Sequence, residues 1–498
     1  MIRLFLALLA SIAALRAADR PNILFVAVDD LRPEFGAYGA KYIHSPNLDR
    51  LAKQGVTFNR AYCQQAVCSP SRTSLMTGTR PDTNKVWDLE THFRVALPDV
   101  VTLGRHFKNH GYFVQGMGKI YHGGFDDPSG WSVPLQQPRA QPYGLPENLA
   151  LQQRQNAAPV KAGTGKTPDS QKKKAGGINS RGPAFEGADV SDETFADGQI
   201  AKLAISALGE IAQKKEPFFL AVGFMKPHLP FVAPKKYWDL YDAAKIQLAP
   251  NPFPAKDAPD YAMGPAGELR NYHGIPESRI PDDLARQLKH GYYAAISYMD
   301  AQFGRVLDEL ERLGLAKNTI VVLWGDHGWK LGEHDAWCKH TNSENDTNSP
   351  LLLSVPGMKH AGARTDGLVE FVDIYPTLAD LAGLPLPSHL EGYSFRPLLD
   401  APGRPWKQAA FSQYPRPASR TTSRPAVMGY SMRTEHYRFT RWLHRDDHAK
   451  VAALELYDHR TDPQENTNLA YLPANRALVE KLTAQHKAGW PAALPTKR

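Results

Sequence analysis

A chain of 498 residues is too long for one small core, and 42% hydrophobic residues are enough to bury a large one. The formal charge of +8 favours an acidic ligand, but it is spread along the chain with no basic helix or arginine-rich motif, so no nucleic-acid partner is expected. Cys63, Cys68 and Cys338 are the three cysteines, too few for a disulfide framework; two free thiols are expected at Cys63 and Cys338, with a pair between them the alternative if both line one cleft.

Residues 1–18 read as an export signal. Arg3 supplies a positive start, Leu4 to Leu15 form an apolar run too short to span a membrane comfortably, and Ala17 and Ala18 are small. Leu15 or Arg16 makes the cleavage site imperfect, and an uncleaved anchor is the alternative. The expected location is exported: periplasmic, secreted or in a lysosome-like compartment. No stable membrane span is expected after cleavage.

Asn22 to Val28 is a continuous apolar run, the pattern of a strand buried on both faces in a parallel sheet, and it stops at Asp29-Asp30. A helix over Pro46 to Gln54 follows. Cys68-Ser69-Pro70-Ser71-Arg72 reads as a reactive residue at a helix start, where Pro70 loses no bonded N–H. There the helix dipole would lower the Cys68 pKa and attract an anion, against the plainer reading of a small buried cysteine. A helix over Thr102 to His110 and a strand over Tyr112 to Met117 come next.

From about Gln136 to Asp189 the chain is rich in Gln, Pro, Gly, Ala and Lys, including Lys172-Lys173-Lys174, and residues 140–188 are expected to be a flexible surface insertion. Pattern resumes with a helix from about Glu193 to Gln213, a strand over Pro217 to Gly223, and a long amphipathic helix from Pro281 to Leu313. Strands over Thr319 to Trp324 and Leu351 to Val355 and a helix over Ile374 to Ala382 complete the alternation. The fold class is therefore α/β, a large mostly parallel sheet flanked by helices. Beyond residue 400, Met428 to Arg433, Tyr437 to Trp442 and Glu455 to Tyr457 read as antiparallel strands, with a helix over Asn475 to His486. The expected division is 19–400 for a catalytic domain and 401–498 for a smaller C-terminal α+β subdomain.

Polar clusters sit at the strand ends: Asp29-Asp30, His228 and Asp326-His327. Each alone is more often a turn or cap, but parallel strands bring such ends to one rim. Three carboxylates make an oxygen-rich site suited to Ca2+ or Mg2+ and less to zinc. Lys119 and His122 follow another strand end. With His228 and Lys339 they add two cations and two imidazoles, which suits a metal-assisted site for a tetrahedral oxyanion ester.

At these residues the chain resembles the type I sulfatases of the alkaline-phosphatase-like superfamily. Cys68-Ser69-Pro70-Ser71-Arg72 matches that family's Cys-x-Pro-x-Arg maturation signature, with the trailing Thr77-Gly78. The similarity extends to the branch acting on uronic-acid 2-O-sulfates, through Val28 to Pro33, Gln64 to Val67, Arg80 to Thr83, Lys226-Pro227-His228, Asp326 to Trp329, Leu331 to His334, Ser412 to Pro417 and Met428 to Ser431. One stretch departs from the branch. In Thr341 to Leu351, Ser343 replaces an aromatic and Asn348 a base, so sugar recognition is expected to differ there while sulfate chemistry persists.

The resemblance implies a sulfuric ester hydrolase acting on a sulfated saccharide. It implies that a formylglycine-generating or other maturation enzyme oxidises Cys68 to Cα-formylglycine before folding, so that the thiol is a precursor and the hydrated aldehyde the nucleophile. It also implies that Asp29, Asp30, Asp326, His327 and the oxygen at position 68 bind Ca2+. Arg72 would hold the diol, Lys119 and Lys339 would clamp sulfate, His122 would be the base and His228 the acid. His92, Trp329 and Trp337 are candidate rim residues for the saccharide, with core packing the alternative for each tryptophan. Two rival readings stand: a phosphonate or phosphate ester hydrolase of the same superfamily, and a non-catalytic glycan-binding protein if Cys68 stays unconverted.

Overall fold

The computed structural model describes residues 20–157, 182–263, 267–417 and 426–495. The export-signal segment and the Lys172-Lys173-Lys174 stretch of the insertion lie outside the described residues.

A seven-stranded mixed sheet forms the centre, in the order Arg364–Thr365, Val56–Phe58, Leu351–Ser354, Thr319–Gly325, Asn22–Val28, Phe218–Phe224 and Phe113–Gly118. The central Asn22–Val28 strand is parallel to both neighbours. Its unbroken apolar sequence follows from having no solvent face. Leu24, Val26 and Val28 pack into one core layer with Ala204, Leu208, Ile296 and Met299 of the Ala196–Ile211 and Asp282–Arg312 helices. Ile23, Phe25 and Ala27 pack into the other layer with Leu75 and Met76 of the Cys68–Thr77 helix and Leu378 of Ile374–Leu381. Burial of such side chains stabilises by about 1.5–3 kcal/mol each.

Leu351–Ser354 corrects the simplest parallel picture, because it runs antiparallel to both neighbours. Between Gly325 and Leu351 the one α-helix is Glu344–Thr347, too short for the crossover that a parallel return requires. Four of the six strand pairings remain parallel.

A second, four-stranded antiparallel sheet lies C-terminal to the first: Ala410–Arg416, Val427–Arg433, Tyr437–His444 and Val451–Asp458, paired in chain order. The Arg476–Ala492 helix covers it, with Leu482 packed among Met432, Phe439 and Leu456. Its first strand carries Pro415, a residue that a central strand disfavours. It is an edge strand, where a missing N–H is tolerated.

The insertion is more ordered at its ends than its composition suggests. Pro146–Ala157 is a helix, and Phe185–Ala188 pairs in parallel with Phe231–Pro234. Glu186 anchors the helix start, accepting from Gly144 N at 2.6 Å and Leu145 N at 3.2 Å. Among the described residues, no helix is long and apolar enough to cross a membrane.

Candidate active site

The register of the sheet sets four strand ends side by side. Val28 lies opposite Phe224 and Gly325, and Gly118 lies opposite Gly223. The residues just beyond are Asp29, Asp326 and Lys119, with His228 on the loop after Phe224. Two successive aspartates on an extended chain would point to opposite faces. Asp30 instead turns left-handed, with φ 59°. Tyr292 Oη on the long helix braces that turn, donating to Asp30 O at 2.7 Å and accepting from Arg32 N at 3.0 Å. Both carboxylates then face the same space as Asp326, with ligand atoms of all three within 4.8 Å of one another.

Arg72 is fully buried in the Cys68–Thr77 helix. Its Nε donates to Asp326 Oδ2 at 2.9 Å, its Nη2 to Asp29 Oδ1 at 3.1 Å, and its Nη1 to the Ile120 carbonyl at 3.2 Å. Lys119 Nζ pairs with Asp29 and lies 3.6 Å from Cys68 Sγ. Burial pushes the Asp29 carboxyl up, but Lys119, His228 and Arg72 pull it well below the usual range. Asp30 goes the other way, raised by burial despite His228 and Lys339.

Cys68 Sγ sits 3.4 Å from His327 Nε2 and 4.0 Å from Asp30 Oδ1. The expected acidified thiol is not found. Burial, with Asp29 and Asp326 acting against Lys119 and Lys339, pushes the Cys68 thiol well above its ordinary value. The helix start does place the residue at the centre of the cluster. Cys63 and Cys338 are free, as expected.

His327 Nδ1 donates to Gly328 O at 2.9 Å, which fixes the ring with Nε2 facing Cys68 and, at 3.3 Å, Asp30. An imidazole so oriented, beside three buried carboxylates, fits a hard divalent cation bound by Asp29, Asp30, Asp326 and His327 with the side chain at position 68. The donor set is oxygen-rich, as calcium prefers.

His228 and Lys339 close the outer side. Lys339 Nζ donates to both oxygens of Asp30 at 3.0 Å. His228 Nδ1 donates to Leu229 O at 2.6 Å, and its Nε2 lies 3.7 Å from Asp30 Oδ2. Burial lowers the His228 pKa, but Asp30 and Asp29 raise it above the ordinary imidazole value. His122 is opposite in kind: burial and then Lys119 push it down to about 3, and its Nδ1 has no hydrogen-bond partner among the described residues.

The three candidate rim residues separate. His92 is half-buried beside Phe125, whose ring stacks 6.0 Å from that of His122, so it stands near the cluster. Trp329 and Trp337 are not rim residues. They are 1% and 3% exposed and pack in the core, with Lys339 Nζ 4.7 Å from the Trp329 ring. Core packing is thus what the structure shows for both. The divergent segment is also inward-facing: Ser343 is buried and Asn342 Nδ2 donates to Gly429 O at 3.0 Å, against the second sheet.

Two contributors escaped the sequence reading. Glu268 reaches Lys339 Nζ at 2.7 Å and His228 Nε2 at 3.0 Å, from a Gly- and Pro-rich connection with no local signal. Lys226 was visible only as part of a motif. Its Nζ donates to His228 O at 2.7 Å and Pro230 O at 2.6 Å, holding the loop that presents His228.

The family model "Sulfatase" matches residues 21–384, and the model "N-sulphoglucosamine sulphohydrolase, C-terminal" matches residues 332–488. The chain is similar to the iduronate 2-sulfatase of Mus musculus, 36% identical over 524 residues and covering 91% of each chain. The Homo sapiens iduronate 2-sulfatase is 34% identical over 522 residues, again covering 91% of each. Among solved structures, the phosphonate monoester hydrolase from Silicibacter pomeroyi shares the fold, with a TM-score of 0.71 at 22% identity, covering 96% of each chain.

Proposed function

The chain belongs to the sulfatase family and is a sulfatase, and on that premise we propose that it hydrolyses the sulfate ester of a sulfated saccharide, with a uronic-acid 2-O-sulfate as the favoured substrate. The observation that carries this reading is the convergence of Asp29, Asp30, Asp326 and His327 around Cys68, with Arg72, Lys119, Lys339, His122 and His228 facing the same space. The 2-O-uronate preference rests on the similarity to the two iduronate 2-sulfatases.

Calcium held by Asp29, Asp30, Asp326, His327 and the oxygen at position 68 would neutralise sulfate oxygens and acidify a hydroxyl. Oxidation of Cys68 to Cα-formylglycine would supply a hydrate that attacks sulfur with one hydroxyl and expels sulfate when the other is deprotonated. Arg72, fixed between Asp29 and Asp326, holds the nucleophile's position. Lys119 and Lys339 clamp the sulfate oxygens. His228, with both ring nitrogens facing acceptors, is a proton donor suited to the leaving alcohol. His122, whose Nδ1 has no hydrogen-bond partner among the described residues, is placed to take the proton of the second hydroxyl. His92 lies where it can line the saccharide side.

A maturation enzyme that oxidises Cys68 and an exported location complete the proposal, together with a catalytic domain over 19–400 and a C-terminal subdomain over 401–498. Release of sulfate and phosphate from paired aryl esters tests it. Sulfate preference is expected. A strong phosphate preference would favour the phosphonate or phosphate hydrolase reading, which the shared fold supports. Peptide mass mapping around Cys68 is expected to show the loss in mass from thiol to aldehyde; an unconverted thiol with retained glycan affinity would favour the binding-protein reading.

A further inference from the structure

Lys339 and His228, the two groups assigned above to the sulfate and to the leaving oxygen, have every donor engaged in this structure. An ammonium carries three N–H bonds. On Lys339 they go to Asp30 Oδ1 and Oδ2 at 3.0 Å each and to Glu268 Oε2 at 2.7 Å. An imidazolium carries two. On His228 they go to Leu229 O at 2.6 Å and Glu268 Oε1 at 3.0 Å. A cation drawn to the Asp30 oxygens would release two of the Lys339 protons. It would release nothing on His228, whose Nε2 proton stays with Glu268.

One carboxylate therefore spans the two groups, one oxygen on each, as two oxygens of a sulfate ester would. Glu268 differs from the other acids of the cluster in accessibility. Its side chain is 23% exposed, whereas those of Asp29, Asp30 and Asp326 are 1%, 0% and 0% exposed. Arg72 locks Asp29 and Asp326 in place. Glu268 lies on the solvent side and can leave without opening the core.

We propose that Glu268 is a displaceable internal anion occupying the outer half of the oxyanion site, so that a sulfate ester binds by exchanging its oxygens for the Glu268 carboxylate on Lys339 and His228. This rests on the assignment of Lys339 to the sulfate. Glu268 then acts as a specificity-determining residue. Neutral ligands do not displace it, because only an oxyanion replaces both charge-assisted bonds. The displaced carboxylate, close to the leaving group, becomes an acceptor for a neighbouring hydroxyl of the saccharide.

Calorimetric titration of inorganic sulfate into the calcium-loaded full chain tests this with three variants. Glu268→Ala and the shape-conserving Glu268→Gln are expected to bind sulfate about tenfold more tightly than the parent, the gain from removing a charge-assisted competitor. Their KM for an aryl sulfate should fall with it. Lys339→Ala is expected to lose sulfate binding. If Lys339→Ala loses it but neither Glu268 variant binds more tightly, the displacement proposal is wrong and the site assignment stands. Should Lys339→Ala bind sulfate as the parent does, the assignment itself fails and the proposal with it.

Discussion

At the scale of single residues, the site is a set of charges held by one another. Asp326 accepts from Arg72 Nε at 2.9 Å and from Asp30 N at 3.0 Å, so its charge both aims the arginine and pins the left-handed turn. Asp326→Asn is expected to lower calcium affinity by at least about tenfold and to reduce sulfatase activity in parallel, measured by calorimetry and turnover. Unchanged metal dependence would remove Asp326 from the ligand set. Cys68→Ser should reduce turnover by about 1,000-fold or more, since a serine hydroxyl lacks the second hydroxyl that expels sulfate. Turnover at the parent rate would rule out the diol mechanism.

At the scale of elements, the close approach of neighbouring strand ends decides where the cations sit. Gly223 lies against the turn at Lys119, and a Cβ there would meet Lys119 O at 2.3 Å and Lys119 N at 2.6 Å, both backbone atoms that cannot give way cheaply. Gly118, opposite it, has φ 70°, a conformation that side chains disfavour. Gly223→Ala is therefore expected to shift Lys119 away from Asp29 and Cys68. It should raise KM for an aryl sulfate and destabilise by about 1–3 kcal/mol in thermal unfolding. An unchanged KM and an unchanged melting temperature would show that the turn accommodates the methyl.

At the scale of the whole molecule, buried ion pairs tie the long loops to the sheets. Glu370 takes Arg80 in a two-pronged pair at 2.8 and 2.9 Å and Lys407 at 2.8 Å. Glu465 takes Arg438 at 2.6 Å and His459 at 2.9 Å, and Glu333 takes Arg32 at 2.9 Å. Burial pushes these three carboxyls up, but their cationic partners win and bring each from 4.5 down to about 2. A carboxyl whose folded pKa lies below its unfolded one stabilises fully above the unfolded value. That stabilisation is lost as pH falls from about 4.5 through about 2. Stability measured by denaturant titration is therefore expected to fall steeply below pH 4.5. Removing one partner by Lys407→Met should cost about 3–5 kcal/mol at neutral pH, because Glu370 and Asp373 are left buried beside it. A loss under about 1 kcal/mol would show that Arg80 alone compensates.

What the amino-acid order determined by itself was whatever depends on near neighbours in the chain. The apolar run Asn22 to Val28 announced a strand without a solvent face, because every second residue would otherwise be polar, and the strand ends marked Asp29, Asp30, Asp326 and His327. The amphipathic run from Pro281 to Leu313 announced its helix by period. Tertiary structure decided what depends on register and return of the chain. It turned Asp30 left-handed so that successive carboxylates converge, and it reversed Leu351–Ser354. It also buried Trp329 and Trp337 and raised the Cys68 thiol that a helix start would have acidified. Glu268 is the clearest case. Its partners lie 40 and 71 residues away in sequence, and only the folded chain sets one carboxylate between them.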